Sequence, residues 1–162
     1  MILVVGGHGQ GQETYARMCL KEFDEQQNIK NEKNKKNENK ETREKEDTKQ
    51  DGTLGKTRVE IRIADGETDD APKEAIGADL VLNLHAFVRK VMEAGEDPQE
   101  FVTDLLRSAP RAVTIDEVGC GIVPIDAFER RYRDEAGVAG QRFAAQADRV
   151  IRMICGIPQR IR

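Results

Sequence analysis

Apolar and polar positions alternate in two rhythms along the chain, and the switches between them predict the elements. Ile2 to Val5 is an unbroken apolar run, as expected of a strand buried on both faces. From Glu13 to about Phe23 the rhythm becomes helical, with Tyr15, Met18, Cys19 and Leu20 on one side. Pattern is then lost until Thr57. There Val59, Ile61 and Ile63 alternate with Arg58, Glu60 and Arg62, which predicts a strand with one wet face at or near a sheet edge. Asp65-Gly66 turns it into an acidic loop that runs through Asp70. Pro72 to Gly77 predicts a short helix, and Leu80-Val81-Leu82, within Asp79 to Leu84, a buried strand. Ala86 to Ala94 carries Phe87, Val88, Val91 and Met92 at helical spacing and stops at Gly95. Asp97-Pro98 opens the next helix, with Asp at the N-cap and Pro at the first helical position; it points Phe101, Val102, Leu105 and Leu106 inward and ends near Ser108. Ala112 to Ile115 predicts a buried strand that ends in Asp116-Glu117. A glycine-rich loop, Gly119 to Pro124, leads into a long helical region, Ile125 to about Ala147, loosened near Gly137 and Gly140. Arg149 to Ile154 and Gln159 to Arg162 predict the last two strands. Strands alternating with helices define an α/β class with a largely parallel sheet, and the length suits one domain, 1–162.

Composition changes this picture in one place. Charged residues make up 35% of the chain against 38% hydrophobic, and much of the excess is local. From Asp24 to Asp51 the only aliphatic residue is Ile29. Such a stretch cannot bury enough apolar surface to offset its ordering entropy, so 24–51 is expected to be a disordered or weakly helical insert. The roughly 135 residues outside it are enough for a core. The net charge of −4 and the interleaving of Glu and Asp with the Lys of the insert argue against nucleic-acid binding. Cys19, Cys120 and Cys155 are odd in number and show no C-x-x-C, which argues for free thiols rather than a disulfide framework or a zinc site. No apolar run approaches a membrane span and the N-terminus enters a strand directly, so the expectation is a soluble, cytoplasmic protein.

The first candidate chemistry lies directly behind the opening strand, in Gly6-Gly7-His8-Gly9-Gln10-Gly11-Gln12-Glu13. A phosphate-binding loop reads G-x-x-x-x-G-K-[ST] between a strand and a helix. Gly6 and Gly11 fall at that spacing, while Gln12 stands in the lysine position and Glu13 in the hydroxyl position. The glycines keep a backbone N–H cradle possible at a helix N-terminus. Gln12 brings no charge, and Glu13 adds a negative one unless it holds Mg²⁺. The bland alternative is a tight turn with an acid suited to a first helical turn. The rival dinucleotide fingerprint begins at Gly7-His8-Gly9 but finds Gln12 at its third glycine. The second constellation is Asp116-Glu117. Acids at the carboxyl end of a buried parallel strand lie where α/β sheets bind ligands, and in P-loop proteins such an acid holds Mg²⁺ or activates a nucleophile. An N-cap or loop salt bridge is the alternative. His8 can touch a phosphate or simply be exposed; His85, at a strand end, reads as a ligand-edge or a structural histidine. Asp65, Glu67, Asp69 and Asp70 read as a solvated loop before they read as a metal cluster.

A third set of residues carries a family resemblance. Asp116-Glu117-Val118-Gly119-Cys120-Gly121-Ile122-Val123-Pro124, then Arg131 to Gly137, then Gln141-Arg142-Phe143-Ala144-Ala145-Gln146-Ala147-Asp148-Arg149-Val150, then Cys155-Gly156-Ile157, closely resemble the C-terminal part of the adenosylcobinamide kinase / adenosylcobinamide-phosphate guanylyltransferase family. The resemblance is firm over Ala112 to Ile157 and looser over Ile2 to Ala16. It implies a P-loop, recombinase-like α/β sheet, a trimer, and an enzyme of cobalamin (vitamin B12) assembly. Such an enzyme phosphorylates adenosylcobinamide with ATP or GTP and Mg²⁺, and bifunctional members then transfer GMP through a guanylylated histidine. By the same resemblance, Gly6, Gly7, His8, Gly9, Gln10, Gly11, Gln12 and Glu13 meet the nucleotide, and Asp116 and Glu117 are the candidate catalytic acids. Glu13 and Asp116 are the candidate Mg²⁺ ligands. Gly119, Gly121 and Pro124 border the substrate, with Arg133, Gln141 and Arg142 on the motif-bearing helices that follow.

Three departures shape the expected function. The phosphate-loop Lys and Ser are replaced. The segment that carries the guanylylated histidine in the family is here the histidine-free insert, so guanylyltransfer by that route is not expected. The mid-chain strand ends near Asn83 where the family has an acid. Two functions follow: a cobinamide kinase lacking its transferase half, or a non-catalytic member that binds a corrinoid or a protein partner.

Overall fold

The computed structural model describes residues 1–41 and 60–162, and of 31–41 the backbone alone. The chain divides into two units, Met1–Met18 with Ile61–Arg162, and Cys19–Glu60. The described part of the second unit is largely the continuation of one long helix.

In the first unit, β1 (Ile2–Gly6), β2 (Ile63–Asp65), β3 (Leu80–Leu82), β4 (Ala112–Asp116), β5 (Arg149–Ile154) and β6 (Ile157–Arg160) form one sheet in the order β2-β3-β4-β1-β5-β6. All neighbours run parallel except β6, which returns antiparallel along β5. The helices are α1 (Gln12–Glu41), α2 (Leu84–Glu93), α3 (Pro98–Arg107) and α4 (Ala127–Gln146), with short 3₁₀ turns at Pro72–Ala75 and Val118–Cys120. This is the expected α/β architecture. β1, β3 and β4 are almost wholly buried, as continuous apolar runs in a parallel sheet should be. Leu3, Val81, Val113 and Ile115 meet Phe87, Val88 and Val91 of α2, Val102 and Leu105 of α3, and Tyr132, Ala136, Ala139 and Phe143 of α4 in one core.

Local chemistry sets the boundaries. The Asp97 carboxylate accepts from the Gln99 N–H at 2.8 Å, capping α3 with Pro98 in its first turn as the sequence predicts. Asp126 caps α4 in the same way, accepting from Glu129 N–H at 3.0 Å. Tyr132, Ala136, Ala139 and Phe143 recur at helical spacing on its buried face.

Four expectations are corrected. α4 runs unbroken through Gly137 and Gly140, because its buried stripe continues past both. The wet-faced strand does not use the alternation from Thr57 to Ile63: β2 pairs only Ile63, Ala64 and Asp65 with β3, burying Ala64 and leaving Ile63 exposed. Its place at the sheet edge is as expected, and 57–59 lie outside the described residues. The last strand starts two residues early, because Cys155 (φ 50°) and Gly156 (φ 79°) make a tight two-residue hairpin that pairs Ile154 with Ile157. α1 continues past Phe23 to Glu41; the end of the 24–51 segment, from 42 onward, lies outside the described residues.

Candidate functional site

Register brings the two motifs together. β1 and β4 are neighbours with Gly6 opposite Asp116, so the glycine loop and the acid leave the sheet side by side at its carboxyl edge. Gly9 (φ 70°) and Gly11 (φ 89°) take left-handed conformations that let the loop turn tightly into α1. The Gln10 N–H donates to Gly7 O at 3.2 Å, and the Gln10 side-chain oxygen accepts from the Cys155 N–H of the β5–β6 hairpin.

Gln12, in the lysine position, folds back under this loop and is only 6% exposed. Its amide donates to Gly7 O and to Asp116 Oδ1, each at 2.9 Å. An amide nitrogen has two hydrogens, so both are used. There is no room to relax on one side: a Cβ on Gly6 would stand 3.1 Å from the Gln12 Nε2 and from Met153 O. Glu13 turns outward to Arg17, four residues along, at 2.7 Å. Its negative charge is thereby partly matched, and its carboxylate is not engaged with Asp116.

Asp116 is the hub. Besides Gln12 on Oδ1, its Oδ2 lies 3.2 Å from His8 Nδ1 and 3.9 Å from His85 Nε2. The Asp116 backbone N–H donates to His85 Nδ1 at 3.2 Å. Burial lowers the His85 pKa against the opposing pull of Asp116, which favours the neutral ring. With Nδ1 accepting, its proton sits on Nε2, facing the carboxylate. The two histidines of the chain are thus gathered at one acid, although they are 77 residues apart by number (85 − 8).

On the far side of β4, Asn83 ends β3 in a left-handed conformation (φ 53°) that asparagine tolerates. Its amide donates to Asp65 Oδ1 at 2.8 Å, and its backbone N–H donates to Thr114 Oγ1 at 2.9 Å. Asp65 also accepts from Glu67 N–H, while its own N–H goes to Asp69. The acidic loop is therefore a self-bonded turn. No metal-binding group of three or more His, Cys, Asp or Glu occurs among the described residues.

A pocket of about 450 Å³ opens between the β1/β4 edge and α4. Asp116 and Glu117 line one wall; Gly119, Arg133, Gly137 and Gln141 line the others. Glu117 is held by its N–H to Gly6 O at 2.8 Å and by an ion pair with Arg152 at 3.0 Å. Gly121 and Pro124 lie on an exposed stretch outside that lining, with Ile122 97% and Ile125 98% exposed. Arg130 fixes that stretch through the Pro124 and Ile125 carbonyls. Arg142 is not brought to the pocket: its guanidinium bonds Gln99 O at 2.9 Å and Thr103 Oγ1 at 2.8 Å, clasping α4 to α3. Sequence reasoning misses the Gln12–Asp116 and His85–Asp116 bonds, which only the side-by-side placement of strand ends in the sheet creates.

Gly137 explains part of the pocket's space. A Cβ there would meet nothing within 4 Å, so packing does not require glycine. Glycine in a helix interior costs about 1 kcal/mol relative to alanine. Gly137→Ala should raise the melting temperature by about 2–4 °C, measured by circular dichroism, and should weaken any ligand that fills the pocket. An unchanged or lower melting temperature would mean that α4 needs the glycine for another reason.

A strand, a glycine turn and a helix, with an acid on the neighbouring strand, define an α/β protein of the P-loop type. A family model for cobinamide kinase / cobinamide phosphate guanyltransferase matches residues 2–161, and the chain belongs to that family. Over 47 residues it is 47% identical to the bifunctional adenosylcobalamin biosynthesis protein CobU of Salmonella typhimurium, a stretch that covers 29% of this chain and 26% of that protein. The family resemblance read from the Asp116–Pro124 and Gln141–Val150 motifs is borne out.

Proposed function

We propose that this chain binds a nucleoside triphosphate, ATP or GTP, at the Gly6–Glu13 loop and transfers a phosphoryl group to adenosylcobinamide in cobalamin biosynthesis. The guanylyltransferase half is absent. The observation that carries the reading is the position of Asp116, which touches the glycine loop on one side and lines the 450 Å³ pocket on the other. Phosphates sit on the loop N–H groups and the α1 N-terminus. The acceptor hydroxyl enters from the pocket, and Asp116 receives its proton as the new ester bond forms and the nucleotide diphosphate leaves. His85 holds the strand end that carries the acid by accepting the Asp116 backbone N–H at Nδ1. Asp116 is also the residue that fits Mg²⁺, which uses one or two carboxylates together with phosphate oxygens and supplies charge neutralisation when bound. Glu13, committed to Arg17, fits that role less well. The histidine-free 24–51 segment, where the family carries its guanylylated histidine, supports the loss of guanylyltransfer. A homotrimer in the cytoplasm completes this reading by resemblance; no helix of the described residues is long and apolar enough to cross a membrane.

One observation favours a second reading, a non-catalytic member that binds a corrinoid or a partner protein. Both hydrogens of the Gln12 amide are spent inside the protein, and the loop lacks a lysine. Calorimetric titration of ATP and GTP, each with and without Mg²⁺, separates the two. Micromolar binding, followed by phosphorylation of adenosylcobinamide, is the expected result. No binding up to millimolar nucleotide would establish the second reading in its place.

A further inference from the structure

We propose that Arg152 of β5 supplies the positive charge that the Gly6–Glu13 loop lacks, by turning from Glu117 to the terminal phosphate of a bound nucleoside triphosphate. This role presupposes the nucleotide of the proposed function, but that reading names no side-chain cation to meet it. The sheet register brings Arg152 to the loop. β1 lies between β4 and β5, with Val5 opposite both Ile115 and Arg152, and Gly6 opposite both Asp116 and Met153. Residues in one row of a parallel sheet project to the same face, and Val5 and Ile115 both line the pocket beside α4. Arg152 therefore leaves the sheet on the pocket side, one residue before the level at which the glycine loop begins. Its guanidinium spans the end of β1 to reach Glu117 Oε2 at 3.0 Å, and Glu117 is pinned to Gly6 O through its own N–H at 2.8 Å. The charge stands between the loop that takes the phosphates and the pocket that takes the acceptor.

A lysine at position 12 would offset the Asp116 and Glu117 carboxylates at this strand end. Gln12 does not, so a terminal phosphate arriving here needs another cation. Arg17 is committed to Glu13 at 2.7 Å, and Arg133 stands on α4 beside Gly119. Arg152 is placed to respond. Of the five N–H donors of a guanidinium, it spends one, on Glu117, and no other partner occurs among the described residues. The two side chains are 45% and 28% exposed, so water already competes for both. Single-contact pairs of this kind contribute little. A phosphate offers a guanidinium two oxygens at once and more charge than a carboxylate, so the exchange favours the nucleotide. Glu117 keeps the Cys120 thiol, at 3.9 Å, and water.

The test is calorimetric titration of the full chain with whichever of ATP and GTP binds more tightly, and with its diphosphate, both with Mg²⁺. The proteins are the parent, Arg152→Gln, Arg152→Lys, and Arg152→Gln carrying Gln12→Lys. Arg152→Gln should bind the triphosphate about tenfold or more weakly and the diphosphate within about threefold of the parent, and Arg152→Lys should recover part of the loss. Its melting temperature should stay within about 2 °C, because only an exposed pair is lost. Gln12→Lys, which returns a charge to the loop, should restore triphosphate binding to the Arg152→Gln protein; a purely structural defect would not respond to it. Triphosphate affinity unchanged in Arg152→Gln, equal losses for both nucleotides, or no rescue by Gln12→Lys would each overturn the role of Arg152 while leaving nucleotide binding in place. A parent that binds neither nucleotide would overturn this role and the kinase reading together.

Discussion

Gln12→Lys combined with Glu13→Ser should raise affinity for ATP or GTP by about ten- to a hundredfold in the presence of Mg²⁺. The gross gain is larger. A unit charge pair at about 4 Å is worth on the order of 4 kcal/mol at an effective dielectric near 20. Part of that returns, because the introduced ammonium would stand where the Gln12 amide now donates to Asp116 Oδ1, and the carboxylate would compete with phosphate for it. A net gain of about 1.4–2.8 kcal/mol corresponds to the stated range. The Glu13 change removes a carboxylate near the phosphates and a hydroxyl replaces it. Its cost is the exposed pair with Arg17, worth about 0.3–0.5 kcal/mol. Calorimetry against the parent reads the effect directly. Unchanged affinity would show that the missing charge is not what limits binding, and the role of the Gly6–Glu13 turn would then be structural.

The sequence exposes what depends on neighbours along the chain and hides what depends on neighbours across the sheet. The buried runs of β1, β3 and β4 and the Asp97-Pro98 cap are local statements about burial and backbone, and they are legible. The glycine loop and Asp116 are legible for a similar reason, since each is a short motif at a strand end. The purpose of Gln12 is not. In sequence it is a missing lysine; in the fold it is a buried amide that links the loop to an acid 104 residues away. His85 is a parallel case, a lone histidine until the Asp116 N–H reaches it from the neighbouring strand. At the edge strand β2 the alternation misleads because it outlasts the pairing: β3 offers only three residues, and pairing rather than pattern sets the register. Arg142 and Arg133 are nine positions apart in one motif-bearing helix (142 − 133), yet one clasps α3 and the other lines a pocket with no partner among the described residues. Nothing in their order along the chain separates them; the turn of the helix does.

Gly66→Ala should be the most damaging small substitution in the fold. Gly66 follows β2 and gives its N–H to Leu82 O at 3.0 Å, which draws the turn onto the start of α2. A Cβ at this position would lie 2.4 Å from Asn83 O, 2.9 Å from Phe87 N and 3.0 Å from Ala86 Cβ. Two of these are backbone atoms, which no rotamer change can move, so the β2 turn must separate from α2. The loss should reach about 3 kcal/mol or more, a fall in melting temperature of about 6–12 °C for a chain of this size. Gly121→Ala is the control: a Cβ there meets nothing within 4 Å, and its effect should stay within about 0.5 kcal/mol. The damage should also reach the site. Asn83 and His85 sit at the first turn of α2, and His85 bonds the Asp116 backbone, so lifting the turn off α2 loosens the acid from a distance. Thermal melting of Gly66→Ala and Gly121→Ala side by side measures the first effect, and nucleotide titration of Gly66→Ala well below its melting point measures the second. A melting temperature within about 2 °C of the parent would show that the turn and the helix start are not in the close contact on which the placement of Asp116 depends.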